Sequence, residues 1–304
     1  MPTDALFTGH RAYRTERMMD KVMRYVFSIV AASTVILLIG IFAFLLQNGI
    51  GMFQKVHPFA FFFGTNWNPN ALAGAAWGML PLAVSTLLVA VGALTFAIPF
   101  GLSLAIYLAY LAPKRTREIL KPVIEMIAGI PSVVLGLIGL LFLSPLVARS
   151  FHLSNGLSAL TASLLVGITV VPTIASLCED ALSSVPGRLR EASLALGATE
   201  WTTIRRVLLP SAASGILAAT MLGLGRAIGE TMVVLMVAGN SLAMPNGFLD
   251  PVRPMTATIA IEIREVVMGD LHWKALFAVG LTLFVMSFLL NTVTDFFLYK
   301  KKNT

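Results

Sequence analysis

Apolar residues run along this chain in six long blocks, and the charges are concentrated in the polar stretches between them. A helix that crosses a bilayer core needs about 20 mostly apolar residues. On that basis the pattern predicts spans near 25–46, 80–111, 123–147, 157–178, 211–239 and 275–298. The second block is the longest. The uncharged stretch 77–112 reaches roughly 54 Å as one helix at about 1.5 Å per residue, and Pro99 with Gly101 invites a split into two shorter spans.

The basic residues decide between the two. Of 22 Lys and Arg, sixteen fall on one side if the block is a single kinked or tilted helix: Arg11, Arg14, Arg17, Lys21 and Arg24 before the first span; Lys114, Arg115, Arg117 and Lys121 after the second; Arg188, Arg190, Arg205 and Arg206 after the fourth; Lys300, Lys301 and Lys302 at the end. Splitting the block puts the later basic loops on the opposite side. The bias of Lys and Arg toward the cytoplasm therefore favours six spans with both termini cytoplasmic and Trp77 as an interfacial anchor. The first block is longer than the roughly 7–15 apolar residues of a secretory signal and has no small-residue cleavage pattern after it, so it reads as a retained anchor.

Two polar segments on the far side are long. Segment 47–78 holds His57, Trp67, Asn68 and Pro69 and reads as an ordered loop. Segment 240–273 contains Thr256 to Met268, where Glu262, Arg264 and Glu265 sit among isoleucines and valines. A short amphipathic helix and a plain connecting loop both fit that stretch. Composition agrees with a membrane protein: 57% of residues are hydrophobic, 12% are charged, and mean hydropathy is +0.84. The net charge of +7 lies at the ends of apolar blocks, which argues against a nucleic-acid-binding face. One cysteine, Cys178, excludes an internal disulfide, and the four histidines lie far apart in sequence, which argues against a metal site.

The polar loop 179–210 carries more information. Pro186 suits the first turn of a short helix bearing Leu189, Ala192, Leu194 and Leu196, and Gly197 supplies a left-handed turn to end it. Thr199 can cap a second helix with Trp201, Ile204, Val207 and Leu208 on one side. Neither helix is long enough to be stable alone in water, so each needs a surface to pack on. An elbow of this kind either docks a partner or folds back on its own protein.

Inside the fifth block lies Gly223-Leu-Gly-Arg226-Ala-Ile-Gly-Glu230-Thr231. An Arg at the centre of a span costs about 2.5–3.5 kcal/mol, so Arg226 is expected to face protein or water. As parts of one helix, Arg226 and Glu230 share a face and can pair, and Gly225 and Gly229 allow a neighbouring helix to approach. Two readings stand open. The pair is either a structural ion pair or a station on a translocation path, where a guanidinium suits an oxyanion. Ser85, Thr86, Ser132 and Thr173 offer further hydroxyls in the spans, serving either a pathway or helix packing, and Pro131 and Pro172 are expected to kink their helices.

Specific motifs sharpen the picture. Glu191-Ala192-Ser193, Gly197 six residues after the Glu, and Leu209-Pro210 resemble the EAA loop of ABC importer permeases, with Ser193 where Ala is usual and Val207 where Ile is usual. The chain contains no Gly-x4-Gly-Lys-Ser/Thr phosphate loop. The stretch Met221 to Met232 is similar to the fifth-helix signature of the C-type permeases of phosphate-specific (Pst) importers. Trp67-Asn68-Pro69, Glu125 to Val134 and Met255 to Ala260 support it.

The resemblance implies an all-α integral membrane protein with the six-helix, MetI-like fold of type I importer permeases. It divides the chain into a cytoplasmic segment 1–24 and a permease domain 25–304 with its coupling loop at 179–210. It implies ATPase coupling through Arg188, Glu191, Ala192, Gly197, Thr199, Trp201, Leu209 and Pro210, and a phosphate pathway through Arg226, Glu230 and Thr231. It implies no cofactor in this chain and no enzymatic activity, since ATP and Mg belong to a separate subunit. The implied partners are a homologous A-type permease, two ATP-binding subunits, an extracytoplasmic phosphate-binding protein, the lipid of the inner membrane and a regulatory protein. Alternatives are a permease for sulfate or molybdate, an ion-coupled secondary transporter and a membrane-embedded signalling partner.

Overall fold

The computed structural model describes residues 5–71 and 74–302, with side chains over 19–71 and 74–292. The side chains of Arg11, Arg14, Arg17 and Lys300 to Lys302, which the orientation argument uses, lie outside the described residues.

The first span is the middle of α1 (Ala5–Ile50), a helix of 46 residues that runs through residue 24 without a break. None of its most apolar window is buried within the chain, so this face meets lipid or another protein. A 3-10 turn (Gly51–Gln54) leads to α2 (Pro58–Phe63), where His57 Nδ1 accepts from the Phe59 backbone N–H at 3.3 Å and Pro58 occupies the first helical position. A two-stranded antiparallel hairpin follows, β1 (Trp67–Asn68) with β2 (Ala76–Trp77), and places Trp67 opposite Trp77. The described residues of segment 47–78 thus form defined elements, as the sequence leads one to expect. Trp77, expected as an interfacial anchor, is half-buried and packs edge-on against Trp67 and His272.

The long second block is a single span. Helix α3 (Leu80–Ile106) carries Pro99 in its interior and continues through a π-helical turn at Tyr107–Leu111. The third block does not hold together as read. Residues 114–128 form a separate helix, α4 (Lys114–Ala128), and the span begins after Pro131 as α5 (Ser132–Ile138), a π-helical turn (Gly139–Leu143) and α6 (Ser144–Phe151). Pro131 disfavours helical backbone at Ile130 and follows Gly129, so the chain breaks where the sequence suggested a kink. Pro172 behaves differently. It lies within α7 (Ala159–Ser183), an unbroken helix whose start Ser158 caps by accepting from Thr161 N–H at 3.3 Å.

The chain then forms α8 (Gly187–Ala195), α9 (Glu200–Thr203), a π-helical turn (Ile204–Leu208) and α10 (Leu209–Ser211). The segment Glu200–Ser211 meets α11 (Ala213–Gly229) at 71°. After α11 come α12 (Met232–Val237), α13 (Met255–Glu262) and α14 (Leu271–Lys302). Among the described residues, five helices are long and apolar enough to span, and the bent pair containing α11, taken as one span, makes a sixth.

Helix α7 is the centre of the packing: 61% of its most apolar window is buried. Ala90, Ala93, Ala97 and Ala105 of α3 share one core with Ala162, Val166, Val170 and Ile174 of α7 and with Ala219 and Ala227 of α11. Small side chains let these helices approach closely, the main source of attraction where the surrounding solvent is lipid. At Gly101 a methyl group would sit 2.8 Å from the Ile174 side chain, so the approach needs glycine there.

A second core lies at the other end, built from Met52, Phe61, Trp67, Met79, Leu82, Met255 and Leu276. A buried carboxylate organises it. Glu262, last residue of α13, accepts from Trp67 Nε1 at 3.1 and 3.2 Å and from Arg253 Nη1 at 2.9 Å, and lies 2.8 Å from His272 Nε2. Within 256–268 the helical alternative is realised, though it stops at Glu262, and that residue points inward.

Candidate functional site

Two regions hold the residues singled out in the sequence, one at the basic end of the bundle and one within the broken fifth span. At the basic end, the elbow forms as read. Helix α8 closes with Gly197 at φ +82°, with Gly197 N–H bonded to Leu194 C=O at 2.9 Å and Ala198 N–H to Ser193 C=O at 3.2 Å. These two bonds satisfy carbonyls that the last turn leaves open. Thr199 caps α9 by accepting from Thr202 N–H at 3.2 Å. Two side-chain contacts then fix the angle of the elbow: the Ser193 and Thr203 hydroxyls are 2.8 Å apart, and Arg190 pairs with Glu200. Ser193, one of the two departures from the EAA pattern, is thus a tie between the two helices.

The apolar stripe on the second helix is divided. Ile204 and Leu208 are buried beside Thr203, whereas Trp201 is 61% exposed. In α8 no residue is buried, and Leu189 and Leu196 stand 41% and 90% exposed. Arg188, Glu191, Ala192, Gly197, Thr199 and Pro210 are exposed as well, and Leu209 is half-buried. The elbow therefore anchors itself through Ile204 and Leu208 and presents Leu189, Leu196 and Trp201 outward. A solvated loop has no reason to display three large apolar groups together.

Beside the elbow lies a cluster that sequence reasoning missed. Glu179, four residues from the end of α7, is buried and is bonded by Arg117 Nη2, by Lys121 Nζ at 2.6 Å and by Ser183 Oγ at 3.0 Å. Lys121 also reaches Asp180 at 3.0 Å. Its hydrogen bonds to Glu179 and Asp180 raise the Lys121 pKa above the ordinary lysine value, against the opposing effect of burial. Tyr110 donates to Leu182 C=O at 2.8 Å and closes the end of α3 onto the same turn. The available signal was an acidic pair ending an apolar block, opposite a basic run. Glu125 lies exposed on α4, ahead of the third span.

In the fifth span the structure corrects the sequence on one point. Arg226 and Glu230 form no ion pair, because the helix that was to align them ends at Gly229 and Glu230 adopts extended backbone at φ −66°, ψ 128°. The Glu230 carboxylate accepts from Val233 N–H at 3.4 Å at the start of α12, its carbonyl accepts from Thr256 Oγ1 at 2.8 Å, and Thr231 Oγ1 donates to Gly229 C=O at 3.2 Å. Arg226 turns to a different helix and donates from Nη1 to Thr173 Oγ1 of α7 at 2.9 Å.

Arg226 is exposed, and space is open beside Gly225 and Gly229. Among the described residues, nothing comes within 4 Å of a side-chain carbon placed at either glycine. Lipid is a costly neighbour for the guanidinium, so this opening belongs to water, a polar solute or another protein. Two of the other hydroxyls serve packing: Thr86 is buried, donates to Leu82 C=O at 2.8 Å and accepts from Met255 N–H at 3.0 Å, and Ser85 is buried.

Residues 97–300 match the family described as binding-protein-dependent transport system inner membrane component. A probable ABC transporter permease of Bacillus subtilis, YqgH, is 36% identical over 279 residues, covering 91% of this chain and 90% of the relative. The phosphate transport system permease proteins PstC of Mesorhizobium japonicum and Haemophilus influenzae are 34% and 31% identical, covering 89% and 98% of this chain and 87% and 99% of theirs. Among solved structures, the inward-facing MetNI methionine ABC transporter superposes with a TM-score of 0.57 at 20% identity, over 73% of this chain and 97% of that one, a likeness of fold.

Proposed function

We propose a function from one premise: the chain belongs to the family of binding-protein-dependent transport system inner membrane components. Within it, this chain is the C-type permease subunit of a phosphate ABC importer, a multi-pass protein of the inner membrane. The observation that carries the anion reading is the exposed Arg226 guanidinium, set in an apolar span beside open space at Gly225 and Gly229 that none of the described residues fills. A guanidinium keeps its charge at all physiological pH values and offers paired donors that match phosphate oxygens.

The finer assignments rest on that frame. The basic end is cytoplasmic, with both termini on that side. The elbow bearing Arg188, Glu191, Ala192, Gly197, Thr199, Trp201, Leu209 and Pro210 seats in a separate ATP-binding subunit through Leu189, Leu196 and Trp201. ATP and Mg are held there. Two such subunits and a homologous A-type permease complete the transporter, and an outer binding protein delivers phosphate to the end organised by Glu262. Arg226, with Glu230 and Thr231 at the helix break, lines the pathway between the two permeases. Closure of the ATPases pulls on the elbow, and α11, joined to it at 71°, moves with it.

The test is uptake of labelled phosphate by cells carrying Arg226→Gln, with recovery of the assembled complex measured in parallel. Loss of uptake with an intact complex is expected. Normal uptake with an intact complex defeats the pathway role of Arg226.

A further inference from the structure

We infer that Thr173 and Arg226 together form the anion subsite of this pathway, with the threonine hydroxyl both aiming the guanidinium and donating to the same oxyanion. The inference rests on the phosphate-permease reading and adds to it a residue on a second helix.

Thr173 differs from most other threonines of the spans, and Thr161 at the start of α7 is satisfied by the Gly156 carbonyl. Thr34, Thr86, Thr95, Thr169, Thr220, Thr282 and Thr292 each donate to a backbone carbonyl three or four residues earlier in their own helix. That is the usual way a membrane helix satisfies a hydroxyl. Thr173 makes no such bond. Its Oγ1 accepts from Arg226 Nη1 at 2.9 Å, and among the described residues its own hydrogen has no acceptor. A threonine hydroxyl can accept and donate at once, so one donor remains free beside the guanidinium.

Arg226 is similarly underused. A guanidinium carries five N–H donors, and the bond to Thr173 takes one. Glu230 makes no ion pair with it; its carboxylate accepts from Val233 N–H beyond the helix break. Among the described residues, the pair therefore leaves several donors without an acceptor and presents them with one positive charge toward open space. Such a cluster suits an oxyanion with unprotonated oxygens, such as phosphate. The tie to α7 also decides where the charge points. Free of it, the long Arg side chain would sample several rotamers, and holding it in one favours capture of an anion by a fixed fork. Because Thr173 is on α7 and Arg226 on α11, relative movement of the two helices separates hydroxyl from guanidinium and dismantles the subsite, which offers a route for anion release.

The experiment uses the whole complex in proteoliposomes, with saturating binding protein, and follows phosphate uptake and ATP hydrolysis in the same vesicles. Thr173→Val keeps shape and removes the hydroxyl; Thr173→Ser keeps the hydroxyl and removes the methyl. Losing one hydrogen bond to a charged group should lower uptake about tenfold in Thr173→Val while ATP hydrolysis continues, so that less phosphate moves per ATP. Thr173→Ser should restore most of the rate. Wild-type uptake by Thr173→Val alongside a dead Arg226→Gln overturns the inference and leaves the permease reading intact. Normal uptake by Arg226→Gln removes the pathway reading and the inference with it. Should Thr173→Val not assemble, Thr173→Ser decides: a tenfold loss there, with the hydroxyl still present, shows that packing matters instead and overturns the proposal.

Discussion

Glu179→Gln is the most informative single change at the basic end. The substitution keeps the size of the side chain, removes its charge and turns a saturated acceptor into a group whose amide N–H₂ faces two cations. Glu179 is 1% exposed, while Arg117 and Lys121 are 40% and 34% exposed. Breaking a fully buried ion pair costs about 3–5 kcal/mol, but here the released cations can turn to water, so the cost is about 2–3 kcal/mol. Against that, Ile124 is the one buried residue of α4 among the described residues, and burying it contributes about 1.5–3 kcal/mol. The charges thus supply roughly half of what holds α4 to α7. Hydrogen exchange of the protein in lipid discs reads this directly. Amides of α4 should exchange at least about thirtyfold faster in Glu179→Gln, while those in the middle of α7 are unchanged. Wild-type protection throughout α4 would show that apolar contacts or lipid hold the helix, and the electrostatic account would be wrong.

Other consequences are equally specific. Because hydrogen bonds raise the Lys121 pKa, its share of the clamp is fully present below the ordinary lysine value of 10.5 and is lost only as pH rises through the higher folded value. A spin-label distance between positions 126 and 186 should therefore stay constant up to about pH 10 and lengthen only above it; a change near neutrality contradicts this. Trp201→Ala with Leu196→Ser removes exposed apolar surface, so the isolated chain should lose less than about 0.5 kcal/mol of stability while co-purification of the ATPase falls sharply. Gly197→Ala should also weaken co-purification, since alanine at φ +82° costs about 1 kcal/mol and disturbs the turn between α8 and α9. At the other end, Glu262→Leu strips Arg253 of its buried carboxylate partner and should destabilise the chain by about 3 kcal/mol, seen as a lower unfolding temperature in detergent.

Much of this architecture is legible in the sequence because lipid imposes a simple rule: long apolar blocks span, and basic residues collect on one side. The elbow was legible for a different reason. Gly197 and Thr199 are local signals whose effect is complete within a few residues, and the structure realises both. The failures are non-local or come from averaging. A hydropathy window blends 123–130 into the following span, although Gly129 and Pro131 mark the break. The same averaging carries the fifth span across Gly229 and Glu230, and helical spacing then pairs Glu230 with Arg226. The break is held instead by Thr256, whose hydroxyl reaches the Glu230 carbonyl from 26 residues away. The bonds from Trp67 to Glu262 join positions 195 apart, and those from Arg117 and Lys121 to Glu179 join positions about 60 apart. Nothing in the local pattern of one chain specifies such partners. Thr173 is the instructive case: one hydroxyl among several in the spans, made distinct only by the helix packed beside it.

The central claim is that this chain moves phosphate through a path that a separate ATPase opens by way of the elbow at 188–210. Its most direct test is phosphate accumulation in proteoliposomes holding the assembled complex, with ATP supplied or withheld. The account predicts accumulation only with ATP, abolished when Leu196 and Trp201 are replaced. Accumulation by this chain alone in the absence of ATP would contradict it.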